Sequence, residues 1–270
     1  MNFKKLDELI HSGEKDIEVD EDVILDDGEE LEYANGIRLD VNELYIDFFD
    51  RTIDAKGKAR IFDVVAFTNL QGVVLKNGWH DEKGGAILNE NQGDLTLSMC
   101  RFENNDCKKG SAIYNEYGDL IVESSHFEHN SGGDGIIFNK DGNLDITYCN
   151  FGYNEVDNCG GVLYNDEGGI VAISESVFED NKSKKGAGVI YNGEDGDISV
   201  ENCEFICNKS ESDGGVIKNY GDLNIEGSEF ECNASQGGCG GAIYNGRDAV
   251  LSINDSSVGD NDPDGIFEEK

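Results

Sequence analysis

Apolar and polar residues alternate along this chain in short bursts: "GDLTL" (93–97), "GDLIV" (118–122), "GNLDI" (142–146), "GIVAI" (169–173), "GDISV" (196–200), "GDLNI" (221–225) and "AVLSI" (249–253). A period of two predicts a strand with one buried face. No 3.6-residue periodicity survives across the intervening glycines, which excludes helical repeats. Each burst follows an apolar phrase that closes on asparagine, as in "GGAILN" (84–89), "GSAIYN" (110–115) and "GGAIYN" (240–245). The closing residues Asn89, Asn115, Asn139, Asn165, Asn192, Asn219 and Asn245 lie 24 to 27 positions apart. A steady period of that length marks a repeat architecture.

A third phrase, Phe-x-x-Asn, follows each burst: Phe102/Asn105, Phe127/Asn130, Phe151/Asn154, Phe178/Asn181, Phe205/Asn208 and Phe230/Asn233, with Val258/Asn261 in the last repeat. The second buried residue of the burst precedes the phenylalanine by five positions in all seven repeats, from Leu97/Phe102 to Ile253/Val258. From the Phe-x-x-Asn asparagine to the next closing asparagine the gap runs from 9 to 12. One edge is therefore a fixed corner, and the other carries loops of varying length. Three short strands per coil describe a parallel β-helix of nine to ten coils. Equivalent residues of successive coils then stack about 4.7–4.9 Å apart. The asparagines form two columns in which side-chain amides hydrogen-bond along the axis, as in cross-β ladders. The glycines supply the positive φ that turns require.

Residues 16–83 read as earlier, divergent coils ("DIEVDEDVIL", "GIRLDVNELYID", "ARIFDVVAFTNLQGVVLKNGW"), 84–261 as regular repeats and 262–270 as a tail, all within one domain, 16–270. Residues 1–15 form the N-terminal cap. Phe3, Leu6, Leu9 and Ile10 share one face of a short helix, which suits Met1–His11 to cover the open core of a solenoid end.

The alternation of Gly-Gly-Ala-Ile-like and Phe-x-x-Asn phrases resembles the repeats of chlamydial polymorphic membrane proteins and of adhesin-like proteins of methanogenic archaea. "TIDAKGKARIFDV" and "LQGVVLKNG" resemble their first coils, and the likeness covers roughly residues 35–261. It implies a right-handed parallel β-helix, all-β, with a surface-binding role.

Composition narrows the partners. A formal charge of −36 in 270 residues, from 57 acidic and 21 basic side chains, repels nucleic acid and anionic membranes alike. Cations, basic proteins and neutral glycans remain. No run approaches the ~20 apolar residues of a membrane span, and "MNFKKLDELIHSGEKD" has no signal-peptide core. As written the chain is expected in the cytoplasm, or at the cell surface if it is a domain of an exported protein.

Candidate chemistry is sparse. The position before each closing asparagine holds Leu88, Tyr114, Phe138, Tyr164, Tyr191, Lys218 and Tyr244. With the preceding isoleucines inward, alternation turns this column outward. Tyr114, Phe138, Tyr164, Tyr191 and Tyr244 are thus the candidate ladder for a glycan or protein partner. Two positions before the phenylalanines, Cys100, Ser125, Cys149, Ser176, Cys203 and Ser228 read as small core residues. Cys207 and Cys232 come near bridging distance, and all eight cysteines are expected as free thiols. No Cys/His spacing matches a zinc site, and Cys203 and Cys207 with His126 and His129 are only a weak candidate. Asp260, Asp262 and Asp264 open like a calcium loop that lacks its closing glutamate; no cofactor is expected, with calcium the candidate ion at this stretch. β-Helix families of the pectin lyase-like fold include carbohydrate-cleaving enzymes, but Gly-His-Gly and Arg-x-Lys strings are missing, and Arg38, Arg51, Arg60, Arg101 and Arg247 share no column. The expected function is a non-catalytic, adhesin-like binding solenoid. The alternatives are a polysaccharide lyase or hydrolase and an acidic mimic of duplex DNA.

Overall fold

The computed structural model describes residues 1–90, 93–166 and 168–270. The chain winds as a right-handed parallel β-helix whose strands pair only with equivalent strands of neighbouring coils. A regular coil begins with the closing phrase, as in Ile113–Glu116, continues into the alternating burst Asp119–Glu123, and turns into the phenylalanine strand His126–Glu128. A fourth strand, Ser131–Asp134, follows. These four strands make three sheets, of 10, 18 and 7 strands. The burst and phenylalanine strands together build the largest. The fourth strand lies in the edge expected to be loop. It pairs with Asp106–Lys109 and Glu155–Val156, and the variation in length falls on the turn after it.

The fixed corner has a simple cause. The residue three before each phenylalanine takes a left-handed conformation: Met99, Ser124, Tyr148, Glu175 and Asn202, all with φ near 50°. This left-handed residue and the small buried Cys or Ser after it make up the whole turn from burst strand to phenylalanine strand, which holds the five-residue spacing constant. At the opposite edge the first glycine of the closing phrase does the same, with φ +61° at Gly110 and +70° at Gly240. The second glycine serves close approach: a Cβ on Gly215 would run into the Gly241 carbonyl of the next coil. The doubled glycine thus has one member for the turn and one for the coil spacing.

The core is built from ladders. Rings of Phe102, Phe127, Phe151, Phe178, Phe205 and Phe230 stack with centroids 4.4 to 4.9 Å apart. Both asparagine columns form as hydrogen-bonded ladders. In the first, Nδ2 of each residue from Asn89 to Asn219 donates to Oδ1 of the next, at 2.7 to 3.0 Å. In the second, the chain of amides runs from Asn105 to Asn261. Among the described residues the Oδ1 of Asn89 has no donor, because Val64 occupies its column in the preceding coil. The Cys/Ser column is buried as expected, and serine hydroxyls accept from cysteine amides, as in Cys149 N to Ser176 Oγ at 3.0 Å.

The helix Phe3–Ile10 closes the N-terminal end. Phe3, Leu6 and Ile10 are fully buried, Leu9 packs partly against the core, and Asn2 caps the first turn by accepting from the Lys5 amide. Arg60 then clamps the lead-in coils. Its buried guanidinium donates to the carbonyls of Asn35, Lys83 and Gly84 at 2.7 to 3.0 Å. At the far end the assigned tail corrects itself: Ile266–Glu268 is the tenth strand of the ten-stranded sheet, parallel to Ile243–Asn245.

Candidate functional site

The aromatic column points outward from the solenoid, but it is not the open surface that alternation implied. Tyr114 and Phe138 are each 1% exposed, Tyr244 is buried, and Tyr164 and Tyr191 are half-buried. The rings stack on one another at 5.1, 4.7 and 4.5 Å from Tyr114 to Tyr191. Neighbouring lysines cover them. Lys83 Nζ lies 4.7 Å from the Tyr114 ring centroid and Lys109 Nζ 4.8 Å from that of Phe138. Stacking along the axis occupies both faces of each inner ring, so only edges reach solvent. A sugar has no free face there on which to lie. Lys218 interrupts the column and is held half-buried by Asp213 at 3.0 Å. Burial acts to lower the ammonium pKa, but Asp213 and Tyr220 together outweigh it and the net shift is upward.

The other expected sites do not assemble. Asp260 is a left-handed corner residue, the Asp262 carbonyl accepts from Ser235, and the Asp264 carbonyl from Gly241. Each aspartate occupies its regular place around the coil, so the three spread apart instead of converging. Cys203 and Cys207 lie three coils from His126 and His129. Among the described residues no three His, Cys, Asp or Glu side chains converge on a metal position. Cys207 and Cys232 occupy equivalent corners of adjacent coils, both with φ near 55°. Burial pushes Cys207 upward in pKa, and the neighbouring Cys232 adds to the shift.

What the sequence did not reveal is the segregation of charge. Along the burst strands, outward positions alternate with core positions. Every ionisable outward residue of those strands, from Leu95–Ser98 to Val250–Asn254, is acidic: Asp119, Glu123, Asp145, Asp197, Glu201, Asp222 and Glu226. The adjoining phenylalanine strands from Arg101–Glu103 onward add Glu103, Glu128, Glu179, Glu204, Glu229 and Glu231, and only Arg101 and His126 oppose them. Register sets like on like, with Asp197 beside Asp222, Glu201 beside Glu226, and Glu204 beside Glu229. Ile121 and Ile170 are exposed within this wall, in a trough of about 470 Å³ with Asp119, Asp145 and Asp197. Several lysines lie on the other sheets, where Lys83 and Lys140 both grip Glu116 at 2.6 and 2.7 Å and Lys184 pairs with Asp157 at 2.6 Å. A scan for columns of identical residues misses this wall because its acids alternate between Asp, Glu and neutral polar types.

A second concavity sits on the seven-stranded sheet. Ser131, Gly132 and Gly133 leave a floor almost without side chains, with Asp106 on one side and Glu155 and Asp157 on the other, enclosing about 600 Å³. Burial raises the pKa of Asp106, and the charge of Asp157 raises it further.

Residues 53–205 match the family described as the right-handed β-helix region. No curated protein and no solved structure matches the chain. No helix among the described residues is long and apolar enough to cross a membrane.

Proposed function

Because this chain belongs to the right-handed β-helix family, we propose that it is a non-catalytic binding scaffold that offers the outer wall of its 18-stranded sheet to a protein partner bearing cationic groups. One observation carries the reading: carboxylates stack on carboxylates across successive coils with almost no basic residue among them. Like charges directly opposite on neighbouring strands destabilise a sheet. A fold under no other demand would alternate signs there, as the Glu116–Lys140 pair does between adjacent coils. A cationic partner removes the repulsion, and Ile121 and Ile170 give it apolar contact beside the charges. Complementary charge of this kind speeds encounter and selects among partners.

The test compares two charge-matched variants. Asp197→Asn/Glu201→Gln/Asp222→Asn/Glu226→Gln neutralises the wall, and Glu8→Gln/Glu14→Gln/Asp20→Asn/Glu32→Gln removes as many exposed acids near the N-terminus. Binding of a peptide alternating lysine and leucine is expected to weaken at least tenfold in the first and less than twofold in the second. Equal losses would reduce the wall to general net charge.

A second reading, glycan cleavage, has the Asp106 concavity in its favour. A carboxyl whose pKa is raised by burial and by a facing carboxylate is the pattern of an acid–base pair. Turnover of a polysaccharide that vanishes in Asp106→Asn would establish it and displace the scaffold reading.

A further inference from the structure

The phenylalanine strand Asn150–Gly152 interrupts the acidic wall. From Thr147 to Tyr153 the sequence "TYCNFGY" carries no ionised side chain at neutral pH, and its strand Asn150–Gly152 is bounded at both ends by tyrosine. Tyr148 and Tyr153 are the two left-handed corner residues of this coil, with φ 54° and 57°, and they are 60% and 53% exposed. Left-handed corners favour glycine, asparagine and aspartate over bulky residues. The fold therefore gains little from two large exposed rings at these points.

Unlike the column of Tyr114 to Tyr191, these rings keep free faces. The corner positions of the coils on either side of Tyr148 hold Ser124 and Glu175, neither of them a ring. Tyr153 stacks on His129 at 5.6 Å on one side and has Asp180 at the equivalent corner on the other. The floor between the tyrosines is low: Asn150 faces outward, and a Cβ on Gly152 would meet nothing nearer than the Glu179 carbonyl at 3.9 Å. Above it, Arg101, Glu103, His126 and Glu128 surround a depression of about 250 Å³, and His126 Nδ1 lies 3.3 Å from Asn150 Nδ2. The corners are separated by five residues, no more than about 18 Å of chain.

We propose that this notch is a binding subsite for a neutral oligosaccharide. Sugar rings lie on the free faces of Tyr148 and Tyr153, Glu128 and Asn150 bind hydroxyls along the floor, and Arg101 donates at one end. Aromatic faces with a few polar groups between them suit a ligand that is apolar on its ring faces and polar at its rim. An anionic glycan would meet Glu103, Glu128 and Glu179 with one guanidinium to balance them. A cationic peptide gains more on the coils with stacked carboxylates than on this uncharged stretch. The subsite does not depend on the cationic-partner reading.

The experiment is calorimetric titration of the full chain with neutral hexasaccharides of glucose, mannose, xylose and N-acetylglucosamine, and with an oligogalacturonate as anionic control. At least one neutral ligand is expected to bind, while the control does not. Tyr148→Ala and Tyr153→Ala are each expected to weaken binding tenfold or more, and Tyr148→Phe and Tyr153→Phe to retain it. Binding that persists in 1 M NaCl and in the wall-neutralised variant separates this site from the cationic one. Three results would overturn the proposal: no neutral ligand bound at millimolar concentration, affinity unchanged in the double alanine variant, or tyrosine-dependent binding of the lysine-leucine peptide alone. Both side chains are exposed, and unchanged circular dichroism and melting temperature would show that the variants fold.

Discussion

The side-chain amide of Asn154 donates to Oδ1 of Asn181 at 2.9 Å and, from the same nitrogen, to the Phe127 carbonyl at 2.9 Å. Its own Oδ1 accepts from the backbone and side-chain nitrogens of Asn130 at 3.0 and 3.1 Å. Every polar atom of this buried side chain is satisfied by a neighbouring coil. Removing it strands partners on both sides, and each buried orphan costs about 1–3 kcal/mol. Asn154→Ala is therefore expected to destabilise the protein by about 3 kcal/mol or more in chemical denaturation. A loss below about 1 kcal/mol would mean that water replaces the amide.

The phenylalanine ladder makes a graded prediction. Phe178 is fully buried and stacks on Phe151 and Phe205 at 4.9 and 4.8 Å. Truncation to alanine should cost about 3–5 kcal/mol. Phe178→Leu keeps most of the apolar volume and loses the two ring stacks, worth about 0.5–1.5 kcal/mol each. It should therefore fall between wild type and Phe178→Ala. Equal effects for the two substitutions would show that stacking adds nothing to burial.

Stacked carboxylates should make the wall a source of instability. Glu201 lies beside Glu226 in the neighbouring coil. Glu201→Gln is expected to stabilise the fold by about 0.2–1 kcal/mol, the range of cross-strand pair energies. The gain should shrink as added salt screens the repulsion. Lower stability in the variant would show that Glu201 has a favourable partner within the fold.

His11 links the cap to pH. It lies 2.9 Å from Asp7 and 3.2 Å from Asp40. Burial acts to lower its pKa, but the bonds to Asp7 and Asp40 outweigh it and the folded value is raised. Its contribution is therefore fully present below the unfolded value of about 6.5 and is lost as pH rises through the higher folded value. Hydrogen exchange in residues 3–10 should speed up across that interval, and His11→Gln should remove the dependence. Deleting Met1–His11 should expose the first coil and promote aggregation, read by light scattering.

Thiol reactivity should follow burial. Burial pushes Cys100 up to about 12 and Cys149 and Cys203 up to about 11, whereas Cys232 is exposed. Alkylation of the native protein should label Cys232 first and reach Cys100, Cys149 and Cys203 only on unfolding, as read by mass spectrometry. Early labelling of Cys149 would show that the coils open locally.

The sequence by itself determined the winding of the chain. Leu97 and Phe102 keep their five-residue spacing through every coil because one left-handed residue and the small residue after it make the corner. Asn89 and Asn105 begin columns that pair wherever coils stack in register. These are properties of a coil and its immediate repeat, and periodicity records them directly. The short fourth strand, such as Lys182–Ser183, escaped because two residues carry no period. Ile266–Glu268 escaped because Glu268 stands where the other coils have the closing asparagine. What only the tertiary structure decided is which outward columns are open. Tyr114 and Tyr148 are both outward tyrosines in sequence terms. The first is roofed by Lys83 and by the ring of Phe138, whereas the second sits at a corner flanked by Ser124 and Glu175. Exposure of a β-helix column depends on the side chains one coil away and around the next corner, and so does the sign of a wall. Those neighbours lie some 25 residues apart in sequence and meet only when the coils close on one another.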